Sequence, residues 1–248
     1  MQDHSRRRRN GPAAGLMAGA LIIAACGTAL ISPATASATT TASATAASQP
    51  ASGRLMAEFA AAARQFHVPE SLLLAVGYNQ SRWEPHGSSP SADGGYGIMD
   101  LTAPSFTAVG GRDGRVQTVK LASTHYTLSD AARLLRVPAA ALKTSAALNV
   151  RGAAADLASY ARELNGGKLP ATLGAWYGAV AAYSGDTTSQ AAAMFAGEVF
   201  STIRSGAALV TSGHQVMRLP ADPGAQPQTA AITRLGLRAG PAGSSSAP

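Results

Sequence analysis

The 248-residue chain carries 20 basic and 13 acidic side chains for a formal charge of +7, with 46% hydrophobic and only 13% charged residues. That charge density is about half the soluble average and excludes both a coiled coil and a highly charged disordered chain. One cysteine excludes an intrachain disulfide and a cysteine-built zinc site, and 5% aromatics leaves the core to Ala, Leu and Val, which favours helix packing over a β-sandwich.

Residues 1–38 read as an address. Arg6 to Arg9 form a positive n-region, an apolar run follows from Leu16 to Ile31, and Ala34-Thr35-Ala36-Ser37-Ala38 supplies a small-residue cleavage site. The run is too short and Ala/Gly-rich for a membrane span, so the expectation is a secreted, extracellular or wall-associated protein. The string Ile23-Ala24-Ala25-Cys26 offers an alternative, a lipobox that would leave a lipid anchor on Cys26. Loss of residues 1–38, with four arginines and one aspartate, lowers the charge from +7 to +4. The remaining basic residues are scattered, so nucleic-acid binding is not expected.

Residues 39–53 are an Ala/Thr/Ser linker. Helical spacing begins at Arg54, with Leu55, Phe59 and Ala62–Ala63 recurring up to Phe66. Pro69 opens a second helix with Leu72, Leu73, Ala75 and Val76 as its buried stripe. The Pro/Gly-rich run from Arg82 to Gly97 reads as a loop. A helix over Leu128–Arg136 is broken by Val137-Pro138, and a short helical turn reaches Lys143. Thr144 or Ser145 caps a long helix to Asn165, and Gly166-Gly167 stops it. Two more helices are predicted over Ala171–Tyr183 and Ser189–Arg204, then a short hairpin with Ser212-Gly213 at its turn. Residues 220–248 read as a disordered Pro/Gly/Ser tail. The predicted domain therefore spans residues 54–219 and is all-α apart from that hairpin.

Several strings, taken in order, add chemistry. They are Val68-Pro69-Glu70-Ser71-Leu72-Leu73-Leu74-Ala75-Val76, Gln80-Ser81-Arg82-Trp83-Glu84-Pro85, Gly95-Tyr96-Gly97-Ile98-Met99-Asp100-Leu101-Thr102, Leu148-Asn149-Val150-Arg151-Gly152-Ala153, and Trp176 to Gly185. The series resembles the lysozyme-like domain of bacterial lytic transglycosylases. The layout of address, linker and domain also looks like the N-terminal region of actinomycete N-acetylmuramoyl-L-alanine amidases. The resemblance implies a lysozyme-like fold and peptidoglycan glycan strands as partner. It also implies that the family's catalytic Glu falls at Gln80, with Ser81, Met99 and Tyr183 on the substrate side.

The departure at Gln80 governs the chemistry. Glycosidic cleavage needs a proton delivered to the leaving oxygen, and a carboxamide donates a hydrogen bond but releases no proton. The expectation is a glycan cleft without the cleavage: a binding or wall-targeting module linked to amidase proteins. The alternative is an active hydrolase or lytic transglycosylase with a relocated acid, for which Asp100 and Glu84 are the candidates and Asp93 lies on the same loop. Against these stand blander readings. Glu84 and Asp93 read equally as solvated loop charges, Asp100 as a turn cap, Met99 and Trp83 as core, Tyr183 as packing with a wet tip, and Asn149 as a helix-start cap. The four histidines beyond the address are isolated, so no metal site, no cofactor and no amidase chemistry is expected of this chain. No G-x-S-x-G string suggests a serine hydrolase.

Overall fold

In the computed structural model the described residues are 53–92, 94–104, 106–110, 116–120 and 125–240, with backbone alone for 106–110 and 116–120. The address, Cys26, most of the linker, Asp93 and residues 241–248 lie outside them. All described residues belong to one compact unit, Ala47–Pro248.

That unit is mainly helical. Helices α1 (Arg54–Phe66) and α2 (Glu70–Ser81) form an opening pair. Helices α3 (Thr127–Leu135), α4 (Ala139–Thr144) and α5 (Ala146–Leu164) follow, then a 3₁₀ turn (Leu173–Trp176) leading into α6 (Tyr177–Tyr183), and α7 (Ser189–Ser205). The long α5 is the hub, packing against α1, α3, α4 and α6, while α7 packs on α2 and α6. Its inward residues are Val150, Ala153, Ala154, Leu157, Ala158 and Ala161, all buried. Such small side chains let neighbouring helices approach closely, which is how a chain poor in aromatics closes a core.

The predicted boundaries rest on identifiable chemistry. Ser145 is the N-cap of α5, its hydroxyl accepting the Leu148 N–H at 3.3 Å. Thr188 caps α7 in the same way through the Ala191 N–H. Beyond α5, Gly166 and Gly167 take φ of 62° and 84°, a left-handed turn that glycine enters without strain.

Among the described residues three antiparallel strand pairs interrupt the helices. The predicted one is present as β5 (Ala207–Val210) and β6 (Val216–Leu219). Two others were not expected. Strand β1 (Gly95–Tyr96), at the end of what read as a loop, pairs with β2 (Leu101–Thr102) just beyond it, and β3 (Phe106–Gly110) pairs with β4 (Val116–Lys120). A two-residue strand carries no alternation to detect, which explains the first omission.

The expected disordered tail requires correction over its described part. Residues 220–240 fold back on the domain: Asp222 N–H bonds to Ile203 O, Gln228 N–H to Gly174 O, and Ser189 N–H to Arg238 O. A 3₁₀ segment, Thr229–Leu235, lies against α6 with Ala231 buried over Gly178. The reason is steric. Gly174 and Gly178 offer bare backbone, and at Gly174 a Cβ would collide with Gln226 O. Small residues that read as low complexity are here the fit to a shallow surface. No helix among the described residues is long and apolar enough to cross a membrane.

Candidate functional site

The end of α2 sets the site. After Ser81 the chain turns sharply, with Arg82 at φ 56° and Trp83 at φ 60°. Two consecutive non-glycine residues in the left-handed region cost about 1 kcal/mol or more each. The Trp83 side chain offsets that cost. It is wholly buried, its indole N–H donates to Leu74 O at 2.8 Å, and its ring lies 4.9 Å from that of Tyr78. Trp83 is thus core, and it fixes the direction in which Gln80 and Ser81 leave the helix.

Opposite this end stands the turn between β1 and β2. Gly97 takes φ 70° and Asp100 φ 51°, and Asp100 N–H bonds back to Gly97 O at 3.2 Å. Three side chains distant in sequence hold the turn. Ser81 donates its hydroxyl to Ile98 O at 2.6 Å. Asn149 accepts the Met99 N–H at 2.8 Å while its amide donates to Tyr96 O at 2.8 Å and Leu142 O at 3.1 Å. Tyr183 donates its hydroxyl to Met99 O at 2.7 Å. The backbone of one residue, Met99, is gripped on both sides by residues 50 and 84 positions away. The structure therefore brings Ser81, Met99, Asn149 and Tyr183 together, with Gln80 as the neighbour of Ser81.

The individual side chains differ from the expectation. Gln80 is half-buried, and its carboxamide makes no hydrogen bond to a described residue. Met99 is fully buried and Tyr183 is 2% exposed, so neither presents its side chain to a ligand. Their role here is to clamp the turn from inside, because the Tyr183 hydroxyl is used up on Met99 O. Burial, then the nearby carboxylates of Asp156 and Asp100, push the Tyr183 phenol well above its ordinary range. Asn149 is not a cap: Ser145 does that work, and Asn149 is the buried latch between α5 and the turn.

The two candidate replacement acids are also constrained. Glu84 accepts the Ser212 N–H at 2.8 Å and the Ser212 hydroxyl at 2.6 Å, tying the α2 exit to the tip of the β5–β6 hairpin. Asp100 is 6% exposed, with its carboxylate packed over Gly95, where a Cβ would collide. Gly95 and Gly97 are therefore required for close approach, Gly97 lying directly against the Asn149 amide.

Two concavities flank the end of α2. One, about 430 Å³, is bounded by Leu55, Pro85, Ile98, Ala146, Thr211 and Gln215. The other, about 520 Å³, runs between α2 and α7 past Asn79, Arg82, Met194 and Ser201. Gln80 lines neither of these two; of its immediate neighbours in sequence, Asn79 lines the second and Ser81 neither. Among the described residues no group of three or more His, Cys, Asp or Glu could hold a metal ion.

Sequence reasoning missed Asp156. It stands in α5 at 0% exposure, and neither carboxylate oxygen has a hydrogen-bond partner. The signal available was an acid on the Ala-rich inward stripe two turns after Asn149. Searched against protein-family models and curated proteins, the chain matches none.

Proposed function

We propose that the chain is a secreted, peptidoglycan-associated module built on a degenerate lytic-transglycosylase-like, lysozyme-like domain that holds glycan strands without cutting them. The observation that carries this reading is the convergence at Met99. Four of the five strings that carry the resemblance are joined by the Ser81–Ile98, Asn149–Met99 and Tyr183–Met99 hydrogen bonds. Gln80 stands at this junction with a free amide, able to donate and accept hydrogen bonds as an N-acetylated sugar requires. It has no proton to release, so general acid catalysis is not available from that position. Association with the wall, and a link to cell-wall amidase proteins, follow from the same resemblance.

The test uses the full chain and purified sacculi. Co-sedimentation without release of soluble muropeptides is expected for the wild type, and Gln80→Glu should gain release by about 10²–10⁴-fold, the usual weight of a general acid. Failure to co-sediment, or release by the wild type equal to that of Gln80→Glu, would overturn the reading.

A further inference from the structure

A buried carboxylate without a partner is costly in a folded protein, and Asp156 is one. It sits in the middle of α5, which is enclosed by α1, α3, α4 and α6. From α3 it meets the charges of Asp130, which repels an anion there, and of Arg133, a weaker attraction. Arg133 is mostly exposed and spends its guanidinium on Asp130 at 3.3 Å. From α5 itself comes Tyr160, whose hydroxyl donates to Asp130 at 3.0 Å and whose ring stacks on His125 at 4.3 Å. From α6 comes Tyr183, committed to Met99 O, with Asp100 beyond it. The charged groups of α1 and α4 are engaged elsewhere or exposed: Arg54 pairs with Glu58, Arg64 faces solvent, and Lys143 lies over the Tyr96 ring. Of these groups only Arg133 attracts an ionised Asp156, and its guanidinium is already paired with Asp130.

We propose that Asp156 is a proton-operated latch: in its neutral form it lets α3, α5 and α6 close over it, and its ionisation as the pH rises loosens α3 and, through α3, the turn that carries Met99. The mechanical link is short. Thr127, the first residue of α3, accepts the Thr102 N–H at 2.8 Å and bonds the Thr102 hydroxyl at 3.2 Å. Thr102 ends β2, which closes the turn of residues 97–100. A displacement of α3 away from an Asp130–Asp156 repulsion therefore pulls on that turn. The latch does not depend on what the site binds.

The direction of the pH dependence follows from linkage. Desolvation by burial first, then Asp130, hold the folded-state pKa of Asp156 well above its ordinary 3.8. The folded state thus keeps a proton that the unfolded chain has already lost, and its stability falls as pH rises through the interval between the two values. Over that interval one proton changes the unfolding constant about tenfold per pH unit.

The experiment compares the full-length wild type with Asp156→Asn, which imitates the neutral acid. Unfolding by urea between about pH 5 and pH 9 should show the wild-type unfolding constant rising relative to the variant's, by up to tenfold per unit. A ratio that does not change with pH overturns the proposal. Two measurements keep it falsifiable if Asp156→Asn folds poorly. The wild type should show the infrared carbonyl band of a protonated carboxylic acid at neutral pH, and amide protection at Thr102 and across α3 should fall as that band is lost. Absence of the band, or protection at Thr102 that ignores its loss, refutes the latch. Asp130→Asn, which removes the repulsion at a half-exposed site, should carry the loss of the band to lower pH; a transition that stays put or moves to higher pH also refutes it.

Discussion

Asn149 permits a quantitative test of the idea that one side chain holds the turn. It is wholly buried and makes three hydrogen bonds: it accepts from Met99 N–H, and its amide donates to Tyr96 O and Leu142 O. Asn149→Ala strands all three partners. A buried group left without its partner costs about 1–3 kcal/mol, and Tyr96 is only half-buried, so water can recover part of its share. The sum is about 3–4 kcal/mol. In a unit of this size each kcal/mol lowers the melting temperature by roughly 2–4 °C, which gives about 6–16 °C by calorimetry. Hydrogen exchange supplies the local readout, since the Met99 amide should lose its protection while the amides of α7 keep theirs relative to the new global stability. Asn149→Asp sharpens the argument. It retains an acceptor for Met99 N–H but turns an anion toward two carbonyl oxygens. Its folded pKa is therefore raised, so the variant is least impaired below the ordinary carboxyl range and loses stability as pH rises. A loss below about 1 kcal/mol for Asn149→Ala, or an Asn149→Asp variant as stable as wild type at neutral pH, would show that the turn is held by something else.

Three further substitutions probe the same assembly. Tyr183→Phe removes one buried hydrogen bond and strands Met99 O, so chemical denaturation should register a loss of about 1–2 kcal/mol with little change in the far-ultraviolet spectrum. Gly97→Ala sets a Cβ against the Asn149 amide at a residue with φ 70°, and expression trials with thermal unfolding should find a loss of more than about 3 kcal/mol or no folded protein. Glu84→Gln keeps the shape but weakens two charge-assisted bonds to an exposed hairpin tip; amide exchange at Ser212 should accelerate while global stability changes by less than about 1 kcal/mol.

The legible parts of the fold are those where sequence chemistry is local. Ser145 as a cap, Gly166-Gly167 as a stop and Val137-Pro138 as a break each act within one turn of helix, so adjacent residues suffice to place them. The illegible parts depend on partners far along the chain. Asn149 has the residue type of a cap and stands near a helix start, and only the approach of Met99 from 50 positions away reveals its use as a latch. The same is true of residues 220–240, whose composition resembles a tail until Gly174 and Gly178 are seen to receive them. Ser81, Met99 and Tyr183 meet at one turn, but their orientation was not legible. The resemblance implied side chains facing a ligand, whereas the packing turns Met99 and Tyr183 inward and leaves backbone at the junction.

That inward packing bears on whether the missing acid has moved. A replacement general acid must meet three conditions together: access to substrate, an oxygen free to hold the proton, and surroundings that keep the proton on at working pH. Glu84 fails the second, because both its oxygens accept bonds from Ser212. Asp100 fails the first, held at 6% exposure behind the backbone of Gly95. Asp156 comes nearest the third, since burial raises its carboxyl well above the ordinary range, yet it is sealed at 0% exposure. Position 80 is half-exposed, unbonded and at the junction, so a single change there reaches what the other carboxylates cannot. On the proposed function, an amide at that one place is therefore sufficient to separate holding a glycan from cutting it.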